Sequence, residues 1–197
     1  TSVGVPMIGC DCAVCTSDRP RNRRLRCGLA IDDGETVVLV DTPTDLRQQA
    51  LRFGVTRVDA VAYTHAHADP ILGLDELRIY NLRQRVEIPC YGSPEVLDKL
   101  GRSFHYIFEE DRSASFRPRL ALRPVSGPFR VGRLELDPIR VLHGELEIFG
   151  YRIGDLAYLT DCSSIPEAQL SKLRDLEVLV LGALRYTPHP NHFTVEQ

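Results

Sequence analysis

The sequence predicts a mixed α/β fold, and three observations predict it. Short apolar, β-branched runs recur along the chain, among them 36–40, 58–63 and 176–181. In the first half these runs alternate with helical stretches, such as 44–53 and 75–85. The second half is dense in strands, at 120–125, 134–142, 146–153 and 155–159, three of them joined by short turns containing glycine. At 197 residues the chain fits a single domain that buries most of its apolar surface.

In order, Thr1 to Pro6 is a loop punctuated by glycine and proline. Cys10, Cys12 and Cys15 follow at C-x-C-x-x-C spacing, which can wrap one structural zinc if a fourth ligand comes from elsewhere. The alternative is a reactive or small-residue loop, although clustered exposed thiols invite oxidation. Cys27, Cys90 and Cys162 stand alone and are expected to be small buried residues. Arg19, Arg21, Arg23, Arg24 and Arg26 could meet a substrate phosphate, but such a cluster is more often a solvated face. Two β-rich runs around Asp32-Asp33-Gly34-Glu35 predict a hairpin. The helix from Thr44 to Phe53 should close at Gly54. Ser93 and Pro94 have the N-cap and first-turn chemistry of another helix. Residues 109–118 are polar and predict a mobile loop, with His105 on the surface before it. A helix over 165–174 should lead to a central apolar strand at 176–181.

The chemistry is concentrated in Thr64-His65-Ala66-His67-Ala68-Asp69, between a predicted strand and a predicted helix. Side chains alternate along extended backbone, so two imidazoles two residues apart project to one side. Asp69 brings a carboxylate to the same rim. Imidazole nitrogen and carboxylate oxygen are the ligands of a hydrolytic zinc or manganese site. A polar loop that merely holds two histidines is the bland alternative, and the added Asp at this spacing disfavours it. Farther on, His143 and Asp161 each end a strand, and His189 and His192 lie near the end of the sequence.

Composition narrows the function. The chain is 43% hydrophobic and 26% charged, with a net charge of −3, which argues against a general nucleic-acid binder. No apolar run has the length to span a bilayer, and no secretory signal opens the chain, so no membrane role is expected. Six cysteines, three of them within six residues, suit reduced thiols in a cytoplasmic protein rather than a disulfide framework.

His65-x-His67-x-Asp69, a later lone histidine at a strand end and Thr160-Asp161 after a hairpin together resemble the metallo-β-lactamase superfamily. Within it, Cys10-x-Cys12-x-x-Cys15 and His189-Pro190-Asn191-His192-Phe193-Thr194 resemble the PhnP-type phosphodiesterase branch. The resemblance implies an αββα sandwich with metals at one edge. It implies that His65, His67 and His143 bind a first metal, Zn2+ or Mn2+, with Asp161 bridging to a second. Asp69 would serve the second metal, and Asp41 would orient a ligand imidazole from behind. His192 would be the catalytic histidine, supplying a proton or hydrogen bond to the transition state, with His189 the weaker candidate. Cys10, Cys12 and Cys15 would hold a structural Zn2+ remote from the chemistry.

Two departures bear on activity. The family's second-metal histidine after the motif Asp is here Pro70, which has no donor side chain. Asp69 as N-cap and Pro70 as first helical residue would suit the backbone. The chain also lacks the family's opening strand and final strand–helix portion. The resemblance therefore implies one domain over 1–197, truncated at both ends and short of ligands at the second metal and the cysteine site. The expected activity is a metal-dependent phosphodiesterase acting on a small or cyclic phosphate ester. Another superfamily hydrolase, acting on a thioester, lactone or RNA, is the nearest rival. A non-catalytic protein that binds metal or a phosphorylated ligand is the other. A homodimer is left open.

Overall fold

The strand β2 (Val37–Val40) is buried along its whole length, and its two faces meet different layers. Val38 and Val40 pack with Leu136, Phe149, Tyr151 and Ile153 of a second sheet, whereas Leu39 packs with Leu46, Leu74 and Leu77 of a helical layer. A strand buried on both faces reads as an unbroken apolar run, as this one does. The computed structural model describes residues 2–109 and 116–197. Most of the expected loop at 109–118 therefore lies outside the described residues.

The first sheet has the order β1-β2-β3-β4-β5, with β1 (Leu29–Asp32), β3 (Ala60–Ala62), β4 (Ile88–Gly92) and β5 (Leu120–Pro124). The predicted hairpin joins β1 to β2 antiparallel, and the remaining pairs are parallel. Parallel neighbours need crossovers, which the helices supply. The helix α1 (Leu46–Phe53) links β2 to β3 and ends at Gly54 in the left-handed region, φ +69°. Next, α2 (Ala68–Ile71) and α3 (Leu77–Gln84) lead to β4. Then α4 (Pro94–Ser103) and α5 (His105–Phe108) lead to β5, with Ser93 Oγ accepting the Val96 N–H at 3.2 Å as N-cap.

The second sheet has the order β10-β9-β8-β7-β6. Its strands are β6 (Phe129–Val131), β7 (Leu134–His143), β8 (Leu146–Ile153), β9 (Leu156–Leu159) and β10 (Val178–Leu181). Its outer face buries Ile139, Val141, Ile148 and Leu159 against Ile165, Leu173 and Leu176. Helix, sheet, sheet and helical turn thus stack as the expected αββα sandwich. Each fully buried Val or Leu contributes about 1.5–3 kcal/mol, so the two interfaces dominate cohesion.

Two bonds tie the sheets together beside the predicted site. Tyr151 Oη donates to the Tyr63 carbonyl at 2.7 Å, and the Phe149 N–H donates to the Thr64 carbonyl at 3.0 Å.

Three expectations are corrected. The segment expected as an α-helix over 165–174 is a 3-10 helix at Glu167–Leu173, with Gln169 N–H bonding the Pro166 carbonyl. The strand expected at the centre of a sheet, β10, lies at an edge among the described residues, and all four of its side chains are exposed. Its apolar run carries no information about how many neighbours it has. Cys27 is exposed rather than buried, whereas Cys90 and Cys162 are fully buried as expected. Among the described residues no helix is long and apolar enough to cross a membrane.

Candidate metal centre

The chain turns sharply after β2, and that turn is pinned to the α2 region. The Thr42 N–H donates to the Pro70 carbonyl at 2.8 Å, and the Gly73 N–H donates to the Thr42 carbonyl at 2.9 Å. A Cβ on Gly73 would stand 2.1 Å from the Pro43 carbonyl oxygen, so only glycine permits this approach. The Thr64 N–H donates to Asp41 Oδ1 at 2.8 Å, which ties the segment Thr64–His67 to the same turn at the C-terminal edge of the first sheet.

There His65, His67 and His143 converge, each offering a ring nitrogen within 4.8 Å of the others. Their ring centroids lie 4.7, 5.7 and 5.2 Å apart. His65 is buried, and its Nε2 has no hydrogen-bond partner. A buried polar atom without a partner is costly, and an electrophile at that point would satisfy it. Burial first, and the neighbouring His67 next, push the His65 pKa down to about 3, so the ring stays neutral with a lone pair to give. The residues therefore fit a divalent cation.

Asp161 adds a carboxylate: its Oδ2 lies 3.8 Å from His65 Nε2, and its Oδ1 lies 3.5 Å from His192 Nδ1. Asp161 and Asp41 both sit at positive φ, +54° and +66°, as strand-end residues forced to turn their carboxylates inward. Asp41 stands behind the histidines. Its carboxylate accepts both the N–H and the hydroxyl of Thr64 at 2.8 Å, and the Thr64 hydroxyl lies 2.9 Å from His65 Nδ1. Burial pushes the Asp41 carboxyl up to about 8.

Of the sequence-predicted residues, the structure brings together His65, His67, His143, Asp161 and His192. His192 is packed on His143, ring centroids 4.8 Å apart, and burial lowers its pKa against the opposing influence of Asp161. Asp69 stands outside the cluster of three imidazoles, although its charge reaches His65 and Asp41. It is not the N-cap: His67 takes that place, and Asp69 and Pro70 both lie inside α2. Pro70 is tolerated there because first-turn N–H groups have no intrahelical partner to lose. Two contributors escape the motif reading. Thr64 relays Asp41 to His65, and the Asn191 carbonyl lies 2.8 Å from His143 Nδ1. A hydroxyl residue ahead of the first histidine was a usable signal, but a backbone carbonyl leaves none.

The Sγ atoms of Cys10, Cys12 and Cys15 form a second cluster within 4.8 Å. The Cys15 backbone N–H holds the Cys12 thiol pKa down to about 7, which favours the thiolate a metal requires. Of the arginine cluster, Arg26 is committed to Asp45 at 2.9 and 3.0 Å, which is a structural use.

The family model of the beta-lactamase superfamily domain matches residues 36–197. A crystal structure described as a new diphosphatase from the PhnP family superposes with a TM-score of 0.91 at 42% identity, covering all of this chain and 76% of that one. A protein of Porphyromonas gingivalis named octanoyltransferase is 39% identical over 201 residues, covering all of this chain and 40% of that protein. A ribonuclease Z of a Bradyrhizobium species is 26% identical over 136 residues, covering 67% of this chain and 45% of that protein. The chain thus spans less than half the length of either curated relative.

Proposed function

The chain belongs to the beta-lactamase superfamily and is PhnP-like within it, and from that premise we propose that it is a phosphodiesterase acting on small or cyclic phosphate esters. Superfamily membership makes it a metal-dependent hydrolase in general. The observation that carries the finer reading is the likeness, over the whole chain, to a protein described as a diphosphatase. His65, His67, His143 and Asp161 hold the catalytic ion, zinc or manganese, and Asp69 serves a second, weaker position that Pro70 leaves short of a donor. When bound, such an ion supplies Lewis acidity and lowers the pKa of water toward neutrality.

The chain's own groups do the rest. Asp41, through Thr64, fixes the His65 ring. His192 protonates the departing alkoxide, a role typically worth about two to four orders of magnitude. Burial and Asp161 push its proton affinity in opposite directions, which suits a group that must gain and lose a proton each turnover. Cys10, Cys12 and Cys15 hold a structural zinc. Clustered thiols of this kind survive best in the reducing cytoplasm, where we place the protein.

A second reading rests on the Porphyromonas gingivalis relative: hydrolysis of an acyl thioester, the bond class that an octanoyl donor presents. Zinc- or manganese-loaded protein should be offered bis(p-nitrophenyl) phosphate and an octanoyl thioester side by side. Phosphodiester turnover that His192→Ala lowers in maximal rate more than in KM supports the first reading. Thioester turnover alone replaces it with the second. Turnover of neither, with metal bound, makes the protein a non-catalytic binder.

A further inference from the structure

The turn from His189 to His192 does more than carry His192. The two histidines form an isolated antiparallel bridge, and inside it the Asn191 N–H donates to His189 Nδ1 at 3.1 Å. The carbonyl of the same Asn191 lies 2.8 Å from His143 Nδ1. A carbonyl oxygen only accepts, so His143 carries its proton on Nδ1 and leaves the Nε2 lone pair for the cluster. The Phe193 N–H donates to the Cys162 carbonyl at 2.8 Å, which fastens the turn to the strand end bearing Asp161. Gly144, at φ +64°, makes room for it: a Cβ there would stand 2.4 Å from Asn191 Oδ1. The His189 ring also packs on His192, with centroids 4.9 Å apart and planes inclined by 40°.

We propose that His189 is a positioning residue. By accepting the Asn191 N–H it orients that residue so that its carbonyl selects the Nδ1-protonated form of His143, and the next residue, His192, is set beside Asp161. Metal affinity and the placement of His192 are then coupled through one short turn, a role that rests on His143 being a metal ligand. His189 must itself be neutral, with its proton on Nε2, to accept at Nδ1.

Two variants separate this role from simple packing. His189→Ala removes the acceptor, and His189→Asn offers an amide oxygen to the same N–H. In a Cys10→Ser, Cys12→Ser background, long-range proton–nitrogen NMR on metal-free protein reads the His143 tautomer, Co2+ titration reads affinity at the histidines, and thermal melting monitors the fold. His189→Ala should lose the fixed Nδ1-protonated state and weaken Co2+ binding about 10–100-fold, the usual effect of losing an outer partner of a ligand. His189→Asn should restore both. An unchanged tautomer and affinity in His189→Ala overturns the proposal. So does equal damage in both variants with a lowered melting temperature, which marks a bulk structural role. If the parent Cys10→Ser, Cys12→Ser protein binds no Co2+, the ligand reading fails, while the tautomer comparison still decides what His189 does.

Discussion

Thr64 grips Asp41 twice, through its backbone N–H and its hydroxyl, both at 2.8 Å. A cation at the histidines favours the ionised Asp41, and an ionised carboxylate only accepts, so the Thr64 hydroxyl proton then points to Asp41 and its oxygen can only accept from His65 Nδ1. That fixes His65 with a lone pair at Nε2. Asp41→Asn reverses the relay, because an amide nitrogen facing Thr64 donates and turns the hydroxyl proton toward His65. The His65 proton is then driven to Nε2, where it blocks a cation. Metal affinity measured by chelator competition should fall about 10–100-fold. Unchanged affinity would show that the relay does not set the tautomer.

The same carboxyl predicts a pH dependence. Burial holds Asp41 up at about 8, with the charges of Asp161 and Asp69 adding to the rise, and burial holds His65 down at about 3. In metal-free protein, between roughly pH 4 and 6.5, the native state keeps an extra proton at Asp41 but binds one fewer at His65, and the two slopes oppose. Above roughly pH 6.5 the unfolded histidine has lost its proton, and of these two groups only Asp41 still differs. The native state then holds more protons than the unfolded one, so stability falls as pH rises toward 8. Urea unfolding in excess chelator should show this decline in a Cys10→Ser, Cys12→Ser background, which removes the opposing titration of the Cys12 thiol, held down to about 7, and Asp41→Asn should flatten it. Added zinc should flatten it too, because a cation at the histidines favours the ionised carboxylate. A decline that persists in Asp41→Asn would assign it to another group.

How much of this was legible depends on the kind of group involved. His65 and His67 announce themselves by spacing alone, because alternation along an extended segment converts two residues into one direction. His143 and Asp161 are far apart in sequence, and only the resemblance to a known family joins them to the motif; strand ends bearing polar residues are common. Asn191 acts through a carbonyl that every residue possesses, so no reading of side chains could find it. The two-sheet core was visible in the apolar runs, yet β10 shows their limit, since Val178 to Leu181 would read the same with neighbours on either side.

The link between sheets offers a stability test. Tyr151 and Tyr63 are both fully buried, and the Tyr151 hydroxyl donates to the Tyr63 carbonyl at 2.7 Å. Tyr151→Phe keeps the ring and removes the donor to that buried carbonyl, at a cost of about 1–3 kcal/mol. For a chain of this size the melting temperature should drop by about 2–4 °C per kcal/mol. An unchanged melting curve would mean that the bond only replaces one made to water.

Pro70 decides between a weakened enzyme and a binder. Its carbonyl holds the Thr42 N–H at 2.8 Å, a bond that any residue at this position can make. Its ring is buried within the four-residue α2, beside Asp69. Pro70→His therefore leaves the backbone anchor in place and adds an imidazole next to the carboxylate assigned to the second cation. Elemental analysis should find about one more equivalent of zinc or manganese per chain than in the unmodified protein, with the cysteine site counted separately in a Cys10→Ser, Cys12→Ser background. If the active site is limited by that missing donor, phosphodiester turnover should rise by at least about tenfold, a modest 1.4 kcal/mol of added transition-state stabilisation. A gain in metal without a gain in rate would place the defect deeper than one ligand and favour the non-catalytic reading. If no metal is gained and the fold is intact, the histidine does not reach the site, and residue 70 is not the position that limits the second cation.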